Sequence, residues 1–221
     1  MSERITWAGE FTSPEALRLR QAFNNAEQDQ HSLSNDVMTM HGMSGRKYRM
    51  LINHLVKNTP DARYLEIGSW KGSTACSALY GNTATATCID NFTFHGFSKD
   101  DLVNNINSIM TDNINFKLID SDFRAVDYSS IGTYNVYMFD GPHSEQDQYD
   151  GVAIAQSALT DRFILIVDDY SASEVQRGTQ NAIQALGLTI EASLEIITPP
   201  GAPTNETSDW HCGYYIAVIK K

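Results

Sequence analysis

Three carboxylates fall at the ends of two apolar runs. Phe139-Asp140-Gly141-Pro142-His143 closes one run, and Val167-Asp168-Asp169-Tyr170 closes the next. Side by side, such groups repel one another unless a cation sits among them. Hard oxygen donors completed by a few waters suit Mg²⁺, with Ca²⁺ and Mn²⁺ as alternatives. Taken singly, each aspartate could equally cap a following helix or orient backbone amides. A second group lies upstream in Leu65-Glu66-Ile67-Gly68-Ser69-Trp70-Lys71-Gly72-Ser73-Thr74. Gly68 allows a sharp turn after a strand, and Gly72 lets the next helix start close to the backbone. Together they form a shelf of N–H groups where a ligand can rest; the alternative is an ordinary tight turn. Asp90, with Asn91 beside it, ends the following run and is placed to accept both hydroxyls of a ribose. Ser121 and Asp122 end the run after that, where an adenine amine can be read.

These residues need a scaffold that brings strand ends to one edge. Short apolar runs at 63–67, 84–89, 114–119, 135–139 and 163–167 alternate with helix-length segments, which predicts βαβ units and a mostly parallel sheet. The tail breaks the rhythm: strands at 194–197 and 214–219 are joined by a polar loop without a crossover helix, so they pair antiparallel. Two helices are expected first, one from the Pro14 start to about residue 28 and one through Tyr48, Leu51, Ile52, Leu55 and Val56. The expected organisation is an N-terminal helical extension or lid over residues 1–58 and an α/β domain over 59–221. An aromatic loop at 92–98 carries His95, and a long loop at 199–212 carries Trp210 and His211. Either loop could cover a ligand or be ordinary packing.

Sixteen basic against twenty-seven acidic side chains leave a net charge of −11. That argues against a nucleic-acid partner, which needs a basic face. No apolar run approaches the roughly 20 residues that span a bilayer. The charged start lacks the apolar core of a signal peptide. With three cysteines that share no CxxC spacing, a cytoplasmic protein with reduced thiols and no zinc framework is expected. GxGxxG and a GKS/T ending are absent, which removes the dinucleotide and phosphate-loop fingerprints. GxSxG and HExxH are absent too, so a hydrolase elbow and a zinc-protease helix are excluded.

Glu66-Ile67-Gly68-Ser69-Trp70-Lys71-Gly72 followed by strand-end Asp90 resembles the class I S-adenosylmethionine-dependent methyltransferases, over roughly residues 35–221. The resemblance implies a Rossmann-like, doubly wound, mostly parallel seven-stranded sheet with a C-terminal antiparallel hairpin. It also implies that S-adenosylmethionine meets Glu66, Gly68, Ser69, Trp70, Gly72, Ser73, Asp90, Asn91, Ser121, Asp122 and Asp140. His41-Gly42-Met43-Ser44-Gly45 resembles the segment of small O-methyltransferases that folds over the methionine end of the cofactor, which brings in Met43.

The acidic ends resemble the divalent-metal-dependent O-methyltransferases of the catechol, macrolide-sugar and cephalosporin-pathway types. By position the metal ligands are then Asp140, Asp168 and Asp169. The catechol type has an amide where Asp169 stands, so the sugar-modifying branch is closer. It also has a lysine base where His143 stands, and a histidine can take a hydroxyl proton near neutral pH if a metal has acidified that hydroxyl. His143 could instead orient Asp140. The implied activity is methyl transfer to a hydroxyl of a small molecule, and related proteins often dimerise through N-terminal helices. Two alternatives remain: a metal-independent methyltransferase acting on nitrogen or oxygen, and a non-catalytic cofactor-binding subunit.

Overall fold

A computed structural model describes residues 2–93, 99–203 and 208–221 of the 221-residue chain. His95 and most of its aromatic loop, and part of the loop at 199–212, lie outside the described residues. The chain opens on strand β1 (Arg4–Gly9) and continues through α1 (Pro14–Glu27), α2 (Asn35–Met38) and α3 (Arg46–Asn58). Ser13 caps α1 by accepting the Ala16 N–H, with Pro14 at the first helical position where its missing donor costs nothing. Then follow β2 (Arg63–Ile67), α4 (Ser73–Leu79), β3 (Ala84–Asp90), α5 (Lys99–Ile109), β4 (Ile114–Asp120) and β5 (Tyr134–Phe139). The chain ends with α6 (Glu145–Ile154), β6 (Leu159–Val167), α7 (Ser173–Ala185), β7 (Thr189–Ile197) and β8 (Tyr214–Lys220).

The sheet order is β1-β7-β8-β6-β5-β2-β3-β4. Strands β2 to β6 are parallel, and β8 runs antiparallel between β6 and β7. The expected α/β sheet and its closing hairpin are therefore present, with two differences. The sheet has eight strands among the described residues, because β1 adds antiparallel to β7. Its residues are largely exposed and pair on one side only, so they show none of the buried run that marks an inner strand. Residues 123–128, expected to be helix-length, form only a 3₁₀ turn over Phe123–Ala125 capped by the Asp122 carboxylate.

Both faces of the sheet are covered. Leu19, Leu51, Leu55 and Leu102 pack with Ala86 and Met138 on one face. Val152, Val175 and Ile183 pack with Phe139 and Leu165 on the other. Arg49, wholly buried in α3, crosses the first layer. Its guanidinium donates to the carbonyls of Val37 (2.9 Å), Met40 (2.9 Å) and Ser44 (3.1 Å). A buried charge spent on carbonyl oxygens fixes the 37–44 segment, and with it Met43. No helix among the described residues is long and apolar enough to cross a membrane.

Candidate active site

The chain turns from β2 toward β3 and β4 on one side, and later toward β6 from β5 on the other. The crevice opens where that order reverses, outside the carboxyl ends of β2 and β5. Backbone hydrogen bonds set the strand ends in line: Gly68 N–H to Ile89 O (2.9 Å), Asp140 N–H to Ile67 O (2.9 Å) and Asp168 N–H to Phe139 O (3.2 Å). Gly68 has φ +85°, and Gly72, which caps α4, has φ +80°. Between them Trp70 holds φ +43°, a conformation rare for a bulky residue. Asp90 fixes this turn by accepting the Trp70 N–H (2.7 Å) on one oxygen and the Phe92 N–H (2.6 Å) on the other. Each oxygen keeps a second lone pair for a ligand hydroxyl.

A cavity of about 480 Å³ occupies the crevice, within the range of small-molecule sites. Of the residues singled out from sequence, Met43, Gly68, Ser69, Trp70, Ser73, Asp90, Asn91, Ser121, Asp122, Asp140, His143, Asp168 and Asp169 all line it. Glu66 and Gly72 do not. Glu66 is buried beneath the turn, where it accepts the Tyr64 hydroxyl. Burial raises its carboxyl to about 7, and the Asp90 charge adds to this.

The sign for stability follows. The folded protein keeps the Glu66 proton up to about pH 7, whereas the unfolded chain loses it near 4.5. Between those values the folded state binds more protons, so stability falls as pH rises. At about 1.4 kcal/mol per pH unit, the full effect is about 3 kcal/mol. The ligand-free protein is therefore expected to melt lower at pH 7.5 than at pH 5. Glu66→Gln should remove about 3 kcal/mol of that slope; thermal melts of both proteins across this range check it.

The other end of the cavity is acidic. Asp140 and Asp168 share a hydrogen bond, and desolvation together with the neighbouring carboxylates pushes both well above the usual range. Burial also opposes ionisation of Asp169. Its bond to His143 prevails and holds it below the ordinary value. That contact is 2.8 Å from Nε2 to Oδ2, and it raises His143. Asp169 sits at φ +53° and donates its N–H to Asp168 Oδ1 (2.8 Å). Two sets of donor atoms lie within 4.8 Å of one another among the described residues: Asp140, His143 and Asp169, and then Asp169, His211 and Cys212. Asp168 belongs to neither, and stands against Asp140. The two carboxylates of the first set, with the His143 imidazole beside them, fit a divalent cation by their donor chemistry.

His211 and Cys212 reach Asp169 through backbone bonds from Tyr170 N–H to Gly213 O (3.2 Å) and from Ser171 N–H to Cys212 O (3.0 Å). Trp210 points the other way, into the core, and stacks on Phe23 (5.7 Å between centroids). His211 is buried, at φ +45°. Desolvation lowers its pKa, and it raises that of the Cys212 thiol, which also bonds Asp169. The sequence offered His211 only as part of a loop and Cys212 only as a free thiol. Forty-two residues separate Asp169 from His211, so no local spacing announces their meeting.

No family model matches the sequence, and no curated protein matches it. Many solved structures are similar in fold. One is a Streptococcus mutans protein assigned as an S-adenosylmethionine-dependent methyltransferase (16% identity, TM-score 0.55, 80% of this chain and 48% of that one). Another is the O-methyltransferase from Bacillus cereus in complex with S-adenosylhomocysteine (12%, 0.54, 92% and 91%). A third is a Pyrococcus horikoshii protein assigned as an RNA methyltransferase (13%, 0.53, 93% and 98%). The chain spans about half the length of the first of these. At such identities the likeness concerns the fold alone, a Rossmann-like α/β sheet.

Proposed function

We propose that this chain transfers a methyl group from S-adenosylmethionine to a hydroxyl oxygen of a small molecule. One observation carries the reading: nucleoside-suited groups at the ends of β2 to β4 and carboxylates at the ends of β5 and β6 line a single cavity. In this reading the 68–72 turn and Met43 take the methionine end, Asp90 and Asn91 the ribose, and Ser121 and Asp122 the adenine edge. Asp140 and Asp169, with Asp168 bonded to Asp140 behind them, would hold a divalent cation, and oxygen donors suit Mg²⁺. When bound, S-adenosylmethionine would supply an activated methyl group and a divalent cation would lower the acceptor hydroxyl's pKa. His143, fixed by Asp169, accepts the proton, and the turn and Asp90 orient the donor so that attack is in line. An acid-lined cavity in a chain of net charge −11 repels phosphate, which favours a small acceptor over RNA.

Calorimetry with S-adenosylmethionine and S-adenosylhomocysteine tests the cofactor. Binding is expected, and absence of heat overturns the reading. Methyl transfer is expected to stop with EDTA and to return with a divalent cation. Indifference to chelation would remove the aspartates from a metal-binding role.

A further inference from the structure

The strand after the long loop brings a different kind of donor to the acidic end. Asp169 oxygen, a His211 ring nitrogen and the Cys212 sulfur lie within 4.8 Å of one another on the cavity wall. His211 is only 5% exposed, and its Nδ1 has no hydrogen-bond partner among the described residues. A buried imidazole nitrogen without a partner normally costs about 1–3 kcal/mol, and a bound ion removes that cost. His143 Nε2, 2.8 Å from Asp169 Oδ2, orients the carboxylate as outer groups do around metal ligands.

We propose that Asp169, His211 and Cys212 form a three-ligand site for a borderline transition-metal ion of the Zn²⁺ or Co²⁺ kind, with its fourth position open to the cavity. Sulfur and imidazole donors select such ions, whereas Mg²⁺ wants an octahedron of oxygens. Three protein ligands with one open position are the pattern of a metal that meets substrate, not of a closed structural site. On binding, the Cys212 thiol proton leaves to solvent, and the sulfur exchanges its contact with Asp169 for the ion. The proposal touches the divalent-cation reading only through Asp169, which belongs to both donor sets; its ion is distinct from one held by the carboxylates at Asp140. It places the ion nearer β8 than three carboxylates alone would.

Titrating EDTA-treated full-length protein with Co²⁺ and recording its absorption spectrum tests this. One equivalent is expected to bind and to produce a near-ultraviolet thiolate-to-cobalt charge-transfer band. Cys212→Ser should abolish the band, while His211→Gln should keep it and weaken Co²⁺ binding at least about tenfold. A hundredfold excess of Mg²⁺ should not bleach it. Absence of the band in the wild-type protein overturns the proposal, as does its persistence in Cys212→Ser or its loss to Mg²⁺. If Cys212→Ser fails to fold, the wild-type spectrum and His211→Gln still decide: unchanged Co²⁺ affinity in that variant rejects the site. Calorimetry with S-adenosylmethionine reports cofactor binding separately, so failure of the methyltransferase reading and failure of the metal site remain distinguishable.

Discussion

Gly68→Ala is expected to cost about 4 kcal/mol of stability, the sum of backbone strain and forced overlap. An added Cβ would lie 1.9 Å from the Asp140 carbonyl oxygen and 2.5 Å from its carbon. Both atoms are backbone, held by the bond from Asp140 N–H to Ile67 O, so neither can swing aside as a side chain would. The φ of +85° adds strain whatever the space. Relief would require β2 and β5 to part where the crevice forms, so the loss should appear in ligand binding as well as in stability. Gly81→Ala is the control: its φ is +68°, yet nothing lies within 4 Å of the added carbon. It should cost only about 1–2 kcal/mol. Urea midpoints of the two variants measure the contrast, and equal midpoints would refute the steric argument.

Asp140→Asn should separate stability from activity. The carboxyl stands against Asp168 and near Asp169 and Glu66, and desolvation together with those carboxylates opposes its ionisation. A neutral isostere relieves that repulsion, so the variant is expected to melt no lower than the wild type at pH 7.5. Methyl transfer should nevertheless fall about a hundredfold, the effect of losing about 3 kcal/mol of cation-mediated stabilisation. S-adenosylmethionine affinity should stay within about threefold, because the proposed contacts at Asp90 and the 68–72 turn are untouched. A destabilised variant with full activity would assign Asp140 a purely structural role. A loss of activity accompanied by unchanged or raised stability is the signature of a group retained for chemistry.

The inner parallel strands β2, β5 and β6 were legible in sequence because their buried stretches read as apolar runs bounded by turns, and the edge strand β4, mostly exposed, because Ile114, Phe116 and Leu118 alternate along it. Strand ends then carried Asp90, Asp140, Asp168 and Asp169 to one edge without further information. What pattern did not reveal has physical reasons. Strand β1 is an edge strand with mostly exposed side chains, and β7 begins at Thr189, three residues before its buried stretch starts at Ala192. The role of Asp90 in clamping the Trp70 and Phe92 amides needs the turn's actual path. His211 and Cys212 meet Asp169 only through pairing between two loops far apart in the chain. A residue's type shows which ligands it suits, but only the tertiary path shows which neighbours share it.

Strand β8 enters between β6 and β7, although it follows both in the chain. During synthesis, β2, β3 and β4 can assemble early and complete the nucleoside side of the crevice. The Cys212 and His211 wall waits for the last strand to thread into a gap that β7 must leave open. The β2 to β4 side of the crevice can therefore form before the β8 side. A nascent chain lacking β8 would hold the β2 to β4 side of the crevice without the rim that carries His211 and Cys212.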